Sequence, residues 1–383
     1  MRATMFRHKC EELIRLVVLC AVIVVSGMMI PSSPAADDQE MEIRAKIGQM
    51  LMVGFRGLAA DEGSPVIRDI REGRIGGVIL FDYDVPSASP VRNIESPRQV
   101  KKLVTALQGA APVPLFIAID QEGGRVCRLK ESFGFPPSVS EQYLGSLDSV
   151  ETTKKYADTT AETLASLGIN LNFAPVVDLN TNPDNPVIGK LERSFSADPA
   201  VVIRQALVVI DALHSRGILS AIKHFPGHGS STADSHEGFV DITETWSPEE
   251  LIPFDQIVKA GKCDMIMTAH VFNGKLDPQW PATLSPNVMH ILRDYMGYGG
   301  VIVSDDMQMK AISQSYGLET AIERSVLAGV DILVFANNSV FEEDIASKAG
   351  AILEKLVRQG TIPAERIDAS CRRIMELKER LRR

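Results

Sequence analysis

Short apolar runs recur along the chain, and the spaces between them are long enough to hold a helix. Eight of these runs follow residue 49, at positions 50–55, 75–81, 115–120, 169–178, 218–225, 264–270, 300–306 and 331–337. Continuous runs of this kind are typical of strands that are buried on both faces of a sheet. Each run therefore predicts one strand of a parallel sheet.

Amphipathic patterns with helical periodicity fill the spaces between the runs. Helices are predicted over residues 96–108, 152–167, 199–216, 248–260, 287–296 and 317–328, and two more, 341–359 and 363–381, follow the last strand. Alternating strands and helices predict an α/β protein, and eight such units predict a closed (β/α)8 barrel. A doubly wound open sheet would have a G-x-G-x-x-G turn after its first strand, and GFRGLAADEG, residues 54–63, does not match it.

The first 36 residues have the pattern of a secretory signal and not of a folded domain. Basic residues precede an apolar run of about 15 residues, positions 16–30, and Pro31 and the pair Ala35-Ala36 follow it. The pattern predicts a secreted or periplasmic protein with one folded domain, residues 37–383. The run is shorter than the roughly 20 residues that span a bilayer, so we favour a cleaved signal. A retained anchor is the alternative, and it is the one membrane contact that the sequence predicts.

Composition and charge narrow the possible functions. With 45% hydrophobic and 23% charged residues, the chain has the composition of a globular protein with a large core. A formal net charge of −9 argues against a nucleic-acid partner, which requires a basic surface. Cys10 and Cys20 lie in the predicted signal, and the other three cysteines have no close spacing. The sequence therefore predicts neither a disulfide framework nor a zinc knuckle.

Polar and charged side chains stand at the ends of five predicted strands. They are Asp120, Asn172, Asp178, Lys223, His224, His270, Asp305 and Asp306. In a (β/α)8 barrel the carboxyl ends of all strands meet at one face, and active sites lie there. Because burying an unpaired charge is costly, charges at these positions indicate a functional site and not core packing.

The segment KHFPGHGSSTADSH, residues 223–236, contains three histidines directly after the fifth predicted strand. His224 and His228 have the i, i+4 spacing of a helical metal pair. A coordination set could be completed by Asp234, His236 and His270. Pro226 and Gly227 make this segment a loop, however, where that spacing has no geometric meaning. We expect no metal here, and His228 taken singly can also be a structural residue of the loop.

The end of the same segment offers acid/base chemistry. Asp234 lies two residues before His236, so its carboxylate can hold the imidazole in one tautomer and stabilise its charged form. A retaining glycosidase needs an acid/base and a nucleophilic carboxylate, about 5 to 5.5 Å apart when both are carboxylates. Asp305, at the end of the seventh predicted strand, is well placed to be the nucleophile.

The motifs together resemble the β-N-acetylglucosaminidase branch of glycoside hydrolase family 3. They are IDQEGGRVCR (119–128), KHFPGHG (223–229), DSH (234–236) and VIVSDDMQMKAI (301–312), and the resemblance covers roughly residues 40–383. It implies that His236 replaces the usual carboxylic acid as general acid/base, that Asp234 assists it and that Asp305 is the nucleophile. It implies no cofactor. Larger family members add a second α/β domain, and we expect the single-domain form here.

The resemblance assigns sugar binding to Asp120, Arg128, Arg193, Lys223 and His224. A carboxylate can accept hydrogen bonds from neighbouring hydroxyls, and cationic side chains can donate to hydroxyls or to an N-acetyl carbonyl. Arg128 could instead simply pair with Asp120 or Glu122. The segment NPVIGKLERSF, residues 185–195, is two residues longer than the commonest family form, which leaves the approach of Arg193 open.

The resulting hypothesis is an exported, retaining β-N-acetylhexosaminidase that removes terminal non-reducing GlcNAc through an Asp305 glycosyl-enzyme. The family resemblance implies GlcNAc-containing glycan fragments as substrates, and peptidoglycan fragments in particular. Three alternatives stay open. They are a β-glycosidase or glycoside phosphorylase of the same family, a metal-dependent barrel hydrolase, and a sugar-binding protein without catalysis.

Overall fold

Eight parallel strands form a closed barrel, which confirms the predicted (β/α)8 class. The barrel strands are β1 (Leu51–Gly54), β2 (Gly77–Leu80), β3 (Phe116–Ile119), β4 (Leu171–Asn172), β5 (Leu219–Phe225), β7 (Met265–Thr268), β9 (Val301–Asp306) and β10 (Ile332–Phe335). Met52 in β1 lies opposite Gly77 in β2 and opposite Val334 in β10, so the first and last strands close the barrel. Two short strands, β6 (Val240–Asp241) and β8 (Val271–Phe272), form a separate parallel pair.

The computed structural model describes residues 34–382. The barrel belongs to a compact unit that comprises Ile43–Arg383. Most of the predicted signal or anchor, residues 1–36, lies outside the described residues. In the part that is described, no helix has the length and apolar character needed to cross a bilayer.

Twelve α-helices occur among the described residues, and most of them connect one barrel strand to the next. They are α1 (Pro34–Gln49), α2 (Pro65–Arg71), α3 (Pro97–Ala110), α4 (Glu141–Leu147), α5 (Val150–Leu167), α6 (Pro199–Ser215), α7 (Ile252–Lys259), α8 (Pro286–His290), α9 (Lys310–Tyr316), α10 (Leu318–Ala328), α11 (Ile345–Arg358) and α12 (Ala364–Glu379). Short 3-10 helices occur at Glu131–Phe133, Pro248–Leu251, Ala282–Leu284 and Arg380–Arg382, and one π-helical turn occurs at Ile291–Tyr295.

The core lies inside the barrel and between the barrel and its helices. Every residue of β1, β2, β3, β5, β7 and β10 is buried, as continuous apolar runs require. Helix α11 shows how the outer layer is held, because Ile345, Ala349, Leu353 and Leu356 form one buried stripe at helical spacing. Each fully buried Leu or Ile side chain contributes roughly 1.5–3 kcal/mol.

The largest departure from the predicted elements is the fourth strand. The apolar run 169–178 predicts a long strand, but β4 has only two residues. Pro175 has no N–H and cannot donate to a strand ladder, so regular pairing cannot continue through it. The run stays buried beyond the strand, and Val177 N still donates to Lys223 O at 2.8 Å. The segment after β4 is therefore an irregular buried connection that leads to Asp178.

The N-terminal end of the barrel is closed by buried ionisable side chains that have hydrogen-bond partners within the protein. Asp331, at the start of β10, has a completely buried side chain that accepts hydrogen bonds from Arg293 at 2.7 Å and Ser370 at 2.7 Å. Lys378 of α12 is 1% exposed, and its Nζ donates to Gln49 Oε1 at 2.7 Å and to the Gly76 carbonyl at 2.8 Å. In such barrels this end serves stability, and the opposite end carries the chemistry.

Candidate active site

One open cavity lies at the carboxyl ends of the barrel strands, with a volume of about 400 Å³. That size falls within the range of pockets that hold small ligands. All eight predicted site residues line it: Asp305, His236, Asp234, Asp120, Arg128, Arg193, Lys223 and His224. The side chains of Phe81, Phe173 and Val334 provide apolar wall. Residues from five separate strand ends and loops therefore meet at one site, as the strand-end pattern predicts.

Asp305 is the penultimate residue of β9, and its Oδ1 accepts a hydrogen bond from the Asp306 backbone N–H at 2.7 Å. Burial tends to raise the pKa of this carboxyl, but electrostatic interactions with the nearby rings of His270, His224 and His236, together with the Asp306 N–H, outweigh burial and hold the pKa below its usual value. Asp305 is therefore ionised at neutral pH. An ionised carboxylate that faces a cavity is the form that attacks an electrophilic carbon.

Asp234 and His236 form a hydrogen-bonded pair in the loop after β5. His236 Nδ1 lies 2.7 Å from Asp234 Oδ1, and the same oxygen accepts the His236 backbone N–H at 2.8 Å. Burial alone would lower the pKa of His236, but the hydrogen bond to Asp234 and the charge of Asp305 raise it above its usual value. Because Nδ1 faces Asp234, Nε2 is the nitrogen that can exchange a proton with a bound ligand.

Lys223 is a buried cation that joins two carboxylates at the base of the cavity. Its Nζ donates to Asp120 Oδ1 at 2.7 Å and lies 2.7 Å from Glu122 Oε1. Burial disfavours the charged forms of Asp120 and Lys223. The positive charges of Lys223 and Arg128 nevertheless hold the pKa of Asp120 well below its usual value. The negative charges of Asp120 and Glu122 likewise raise the pKa of Lys223. All these groups are charged at neutral pH. A carboxylate has about four acceptor sites, so Asp120 can also accept from sugar hydroxyls.

Arg193 reaches the cavity in spite of the longer segment that precedes it. Its Nε and Nη2 donate to the two oxygens of Glu122, each at 2.8 Å, and its Nη1 donates to Val187 O at 3.0 Å. Nη2 also lies 3.1 Å from His224 Nε2. These contacts use four of the five guanidinium N–H groups. Arg193 therefore has one N–H left for a ligand and mainly orders its neighbours.

His224 is held in one tautomer by partners on both sides of its ring. Its Nδ1 lies 2.6 Å from Asp178 Oδ2, and its backbone N–H donates to the same carboxylate. Since the Arg193 guanidinium can only donate, His224 Nε2 must accept, and Nδ1 carries the proton. Burial and the charges of Arg193 and Lys223 lower the pKa of His224 well below its usual value. His224 is thus a neutral ring that faces the cavity.

Arg128 is only loosely paired within the protein. Its Nη2 lies 3.5 Å from Asp120 Oδ2, and its Nη1 lies 3.7 Å from Asp82 Oδ1. Its Nε is buried and has no hydrogen-bond partner among the described residues. The pairing with Asp120 that was the alternative interpretation is present but long. Arg128 therefore keeps donors that a bound ligand can use.

The remaining histidines of the predicted metal alternative have partners at both ring nitrogens. His228 contacts the hydroxyls of Ser231 and Ser235, and His270 contacts the hydroxyl of Thr283 and the carbonyl of Asp306. Within residues 34–382, no three or more His, Cys, Asp or Glu side chains are grouped so that they could hold a metal ion.

The structure adds three buried acids that the motif assignment does not include. Glu122 lies between Lys223 and Arg193, and Asp178 orients His224. Glu141, in the first turn of α4, accepts the Val176 backbone N–H at 3.1 Å, and burial followed by the charge of Glu122 raises its pKa well above the usual value. Glu122 stands in the IDQEGGRVCR motif, so its position in the sequence already indicated that it lies near the site. Nothing near Glu141 in the sequence indicates that it lies behind the site.

The family of this chain is shown by its similarity to known proteins. Residues 42–377 match the model of the glycosyl hydrolase family 3 N-terminal domain. The chain therefore belongs to glycosyl hydrolase family 3, which confirms the family that the motifs resemble.

Relatives in this family carry a consistent name. The chain is 36% identical to Beta-hexosaminidase A of Pseudoalteromonas piscicida over 88% of its own length and 60% of that protein. It is also 36% identical to a Beta-hexosaminidase of Tolumonas auensis, over 75% of this chain and 83% of that one. The first of these relatives extends well beyond the matched part.

A solved structure gives the same result in three dimensions. A family 3 beta-N-acetylglucosaminidase from a Paenibacillus species superimposes with a TM-score of 0.80 at 36% identity, covering 88% of this chain and 62% of that chain. The chain thus spans about three fifths of two of the relatives that it matches.

Proposed function

We propose that this protein is a retaining β-N-acetylhexosaminidase that releases terminal non-reducing GlcNAc. The observation that carries the proposal is that one cavity holds an ionised carboxylate, Asp305, together with the hydrogen-bonded pair Asp234 and His236. The names of the relatives support the hexosamine specificity. Asp305 then acts as nucleophile, and His236 acts as acid and base.

The first step forms a glycosyl-enzyme. An oxygen of Asp305 attacks the anomeric carbon, while His236 Nε2 gives its proton to the glycosidic oxygen and the aglycone leaves as an alcohol. Nδ1 keeps its proton and donates it in a hydrogen bond to Asp234, whose carboxylate stabilises the charged imidazole before Nε2 gives up its proton. In the second step the now neutral Nε2 takes a proton from water, and this water attacks the same carbon from the face that the aglycone left, opposite to Asp305. The product is β-GlcNAc, and Asp305 is regenerated.

The buried charges position the sugar for this reaction. Asp120, held by Lys223, can accept hydrogen bonds from two neighbouring hydroxyls, and the loosely paired guanidinium of Arg128 can donate to an acceptor on the sugar. His224, with its ring fixed by Asp178 and Arg193, closes this side of the cavity. These groups bind a non-reacting part of the substrate and so hold the anomeric carbon near Asp305.

We extend the proposal to an exported enzyme that acts on peptidoglycan fragments. The signal pattern of residues 1–36 supports export, and the family resemblance supports the substrate class. Export is checked by determining the N-terminus of the protein recovered from the periplasm or medium of an expressing bacterium. Processing close to Ala36 supports a cleaved signal, and an intact N-terminus in the membrane fraction supports an anchor.

Hydrolysis of a 4-nitrophenyl β-GlcNAc in parallel with the β-glucoside tests the activity. We expect selective cleavage of the GlcNAc substrate, a fall of at least about 10³-fold in kcat for Asp305→Ala, and release of free sugar both with and without added phosphate. The matched control is Asp211→Asn, an exposed aspartate that pairs with Lys262 away from the cavity, which should retain full activity. Near-normal turnover in Asp305→Ala would refute the mechanism, and formation of sugar 1-phosphate would identify a phosphorylase.

A further inference from the structure

The middle residue of the Asp234-Ser235-His236 segment is placed differently from its two neighbours. Ser235 is 2% exposed, whereas the side chains of Asp234 and His236 are 25% and 56% exposed. The Ser235 side chain therefore points away from the cavity into the protein. A buried hydroxyl needs a hydrogen-bond partner, and the identity of this partner defines how the loop is attached.

That partner is the His228 ring. His228 Nε2 lies 3.2 Å from Ser235 Oγ, and His228 Nδ1 lies 2.8 Å from Ser231 Oγ. The Ser231 hydroxyl has the Ala233 carbonyl as its acceptor at 3.4 Å. With that hydrogen committed, Nδ1 of a neutral His228 donates to Ser231, and Nε2 accepts the hydrogen of Ser235.

His228 is itself fixed beside His224, one of the proposed sugar-binding residues. Its side chain is buried, and its backbone N–H donates to Asp178 Oδ1 at 2.8 Å. Asp178 is the residue that orients His224, and the rings of His224 and His228 meet edge to face with centroids 6.0 Å apart. The segment that contacts sugar and the segment that carries the acid/base are therefore joined through one buried imidazole.

The loop has one other attachment at this residue. The Ser235 carbonyl accepts the Ala311 backbone N–H at 3.4 Å, just beyond the strand that carries Asp305. Side chain and backbone of Ser235 thus connect the exposed pair to two different walls of the cavity. The distance between Asp305 and the acid/base depends on both walls.

We propose that Ser235 and His228 form a buried latch that positions the Asp234–His236 pair over Asp305. Both are positioning residues, because neither contacts the reacting atoms. The inference rests on the proposed function, since it assigns the latch to the acid/base of that reaction. Losing the latch should damage proton transfer far more than sugar binding or nucleophilic attack.

The test compares aglycones that need a proton to leave with aglycones that do not. In Ser235→Ala and in His228→Gln, kcat/KM for phenyl β-GlcNAc should fall by about 10- to 100-fold, because its departure requires general acid catalysis. For the 2,4-dinitrophenyl substrate, which leaves without protonation, it should fall less than about 3-fold. The double variant should lose no more than His228→Gln alone, since that substitution already breaks the contact between His228 and Ser235.

Thr153→Val is the matched control for loss of a buried hydroxyl. Thr153 donates to Gln205 at 2.6 Å between α5 and α6, outside the cavity, and this variant should behave as wild type with both aglycones. Equal losses for both aglycones, additive losses in the double variant, or no loss at all would overturn the latch.

A measurement without turnover separates failure of the latch from failure of the proposed function. In proton NMR spectra at low temperature, the hydrogen between His236 Nδ1 and Asp234 should give a downfield resonance in wild type and in Thr153→Val. We expect this resonance to be lost or broadened in Ser235→Ala. An unchanged resonance contradicts the latch, whether or not the protein cleaves GlcNAc. Absence of all hydrolysis by wild type, with the resonance lost only in the variant, refutes the proposed function and keeps the latch.

Discussion

Asp305 and His236 share one cavity but have pKa values that are moved in opposite directions. Burial works against the charged form of both groups, and neighbouring opposite charge outweighs it in both. At neutral pH the carboxylate is ionised, and the imidazole is closer to its protonated form than a free histidine would be. In the proposed mechanism, the nucleophile and the acid are thereby both in their active forms before the substrate binds.

The pH dependence of kcat/KM follows from these shifts. Activity requires ionised Asp305 and protonated His236, so it should fall as pH rises through the raised pKa of His236 and fall at low pH only below the usual range for Asp. Asp234→Asn removes the hydrogen-bonded charge that raises the pKa of His236. The alkaline limb should then move to lower pH, as a full profile with an aryl β-GlcNAc would reveal. A limb that stays in place would show that another group controls it.

Glu122 has no direct role in the proposed reaction, yet it is the counter-ion of two site cations. Its side chain is 1% exposed and lies within 2.8 Å of both Lys223 and Arg193. Breaking a buried ion pair leaves a charge without compensation and typically costs 3–5 kcal/mol.

Glu122→Gln should therefore reduce the free energy of unfolding by about 3 kcal/mol in urea denaturation. It should also raise KM for the aryl β-GlcNAc by about tenfold, because Arg193 and Lys223 lose their fixed geometry. Glu319→Gln, which breaks an exposed pair with Lys355, is the control and should change stability by less than about 0.5 kcal/mol. Equal effects of the two substitutions would contradict the role given to Glu122.

At the scale of elements, strand ends carry most of the site. Asp120, Lys223, His224 and Asp305 each stand at the end of an apolar run, so their convergence follows from the barrel and could be predicted from the sequence. Arg193 could be placed only through the family motif, because it lies in an irregular segment after β4.

Contacts between distant segments could not be predicted from the sequence. Nothing in the chain near Glu122 shows that it pairs with Arg193, 71 residues further on. The same holds for Asp178 and His224, which are 46 residues apart. These pairs depend on how irregular connections pack at the barrel face, and apolar periodicity carries no information about that. The truncation of β4, by contrast, could be predicted, because Pro175 stands within the apolar run and cannot donate to a strand ladder.

Helix α12 places a buried lysine, Lys378, at the N-terminal end of the barrel. Lys378 Nζ lies 4.7 Å from the centroid of Phe116 and donates to Gln49 and Gly76. These contacts favour the ammonium, but desolvation by burial dominates and lowers the pKa of Lys378 to about 7. The unfolded chain therefore binds more protons than the folded one between about pH 7 and the usual lysine pKa.

The stability contributed by Lys378 should thus increase as pH rises through this window. Relative to Lys378→Met, the free energy of unfolding of wild type should rise by up to about 1.4 kcal/mol per pH unit between pH 7 and 9. Urea denaturation at several pH values measures this difference. The exposed Lys102→Met is the control, and its difference from wild type should not change over the same range. A constant difference for Lys378→Met would show that the lysine is not perturbed.

At the scale of the whole molecule, the two ends of the barrel use buried charge in different ways. At the N-terminal end, Asp331 and Lys378 have protein partners for their polar atoms. At the C-terminal end, Arg128 is only loosely paired with Asp82 and Asp120, and His236 presents Nε2 to an open cavity. Ionisable groups with protein partners belong to the fold, and incompletely paired charge at a cavity is available to a ligand.

The sequence sufficed for the barrel and the family because both depend on repeated local signals. Eight apolar runs define the strands, and four motifs in order define the family. Export and the natural aglycone depend on the N-terminal segment and on the cavity mouth, and they stay predictions.

The most direct test of the central claim is to trap the glycosyl-enzyme. In His236→Ala, an activated 2,4-dinitrophenyl β-GlcNAc should glycosylate the enzyme at a useful rate, while hydrolysis of the intermediate is slow because the base is missing. Mass spectrometry of rapidly quenched digests should then find one HexNAc on the peptide that contains Asp305. The adduct should disappear in His236→Ala combined with Asp305→Asn. An adduct on another residue, or undiminished turnover by Asp305→Asn alone, would contradict Asp305 as the nucleophile.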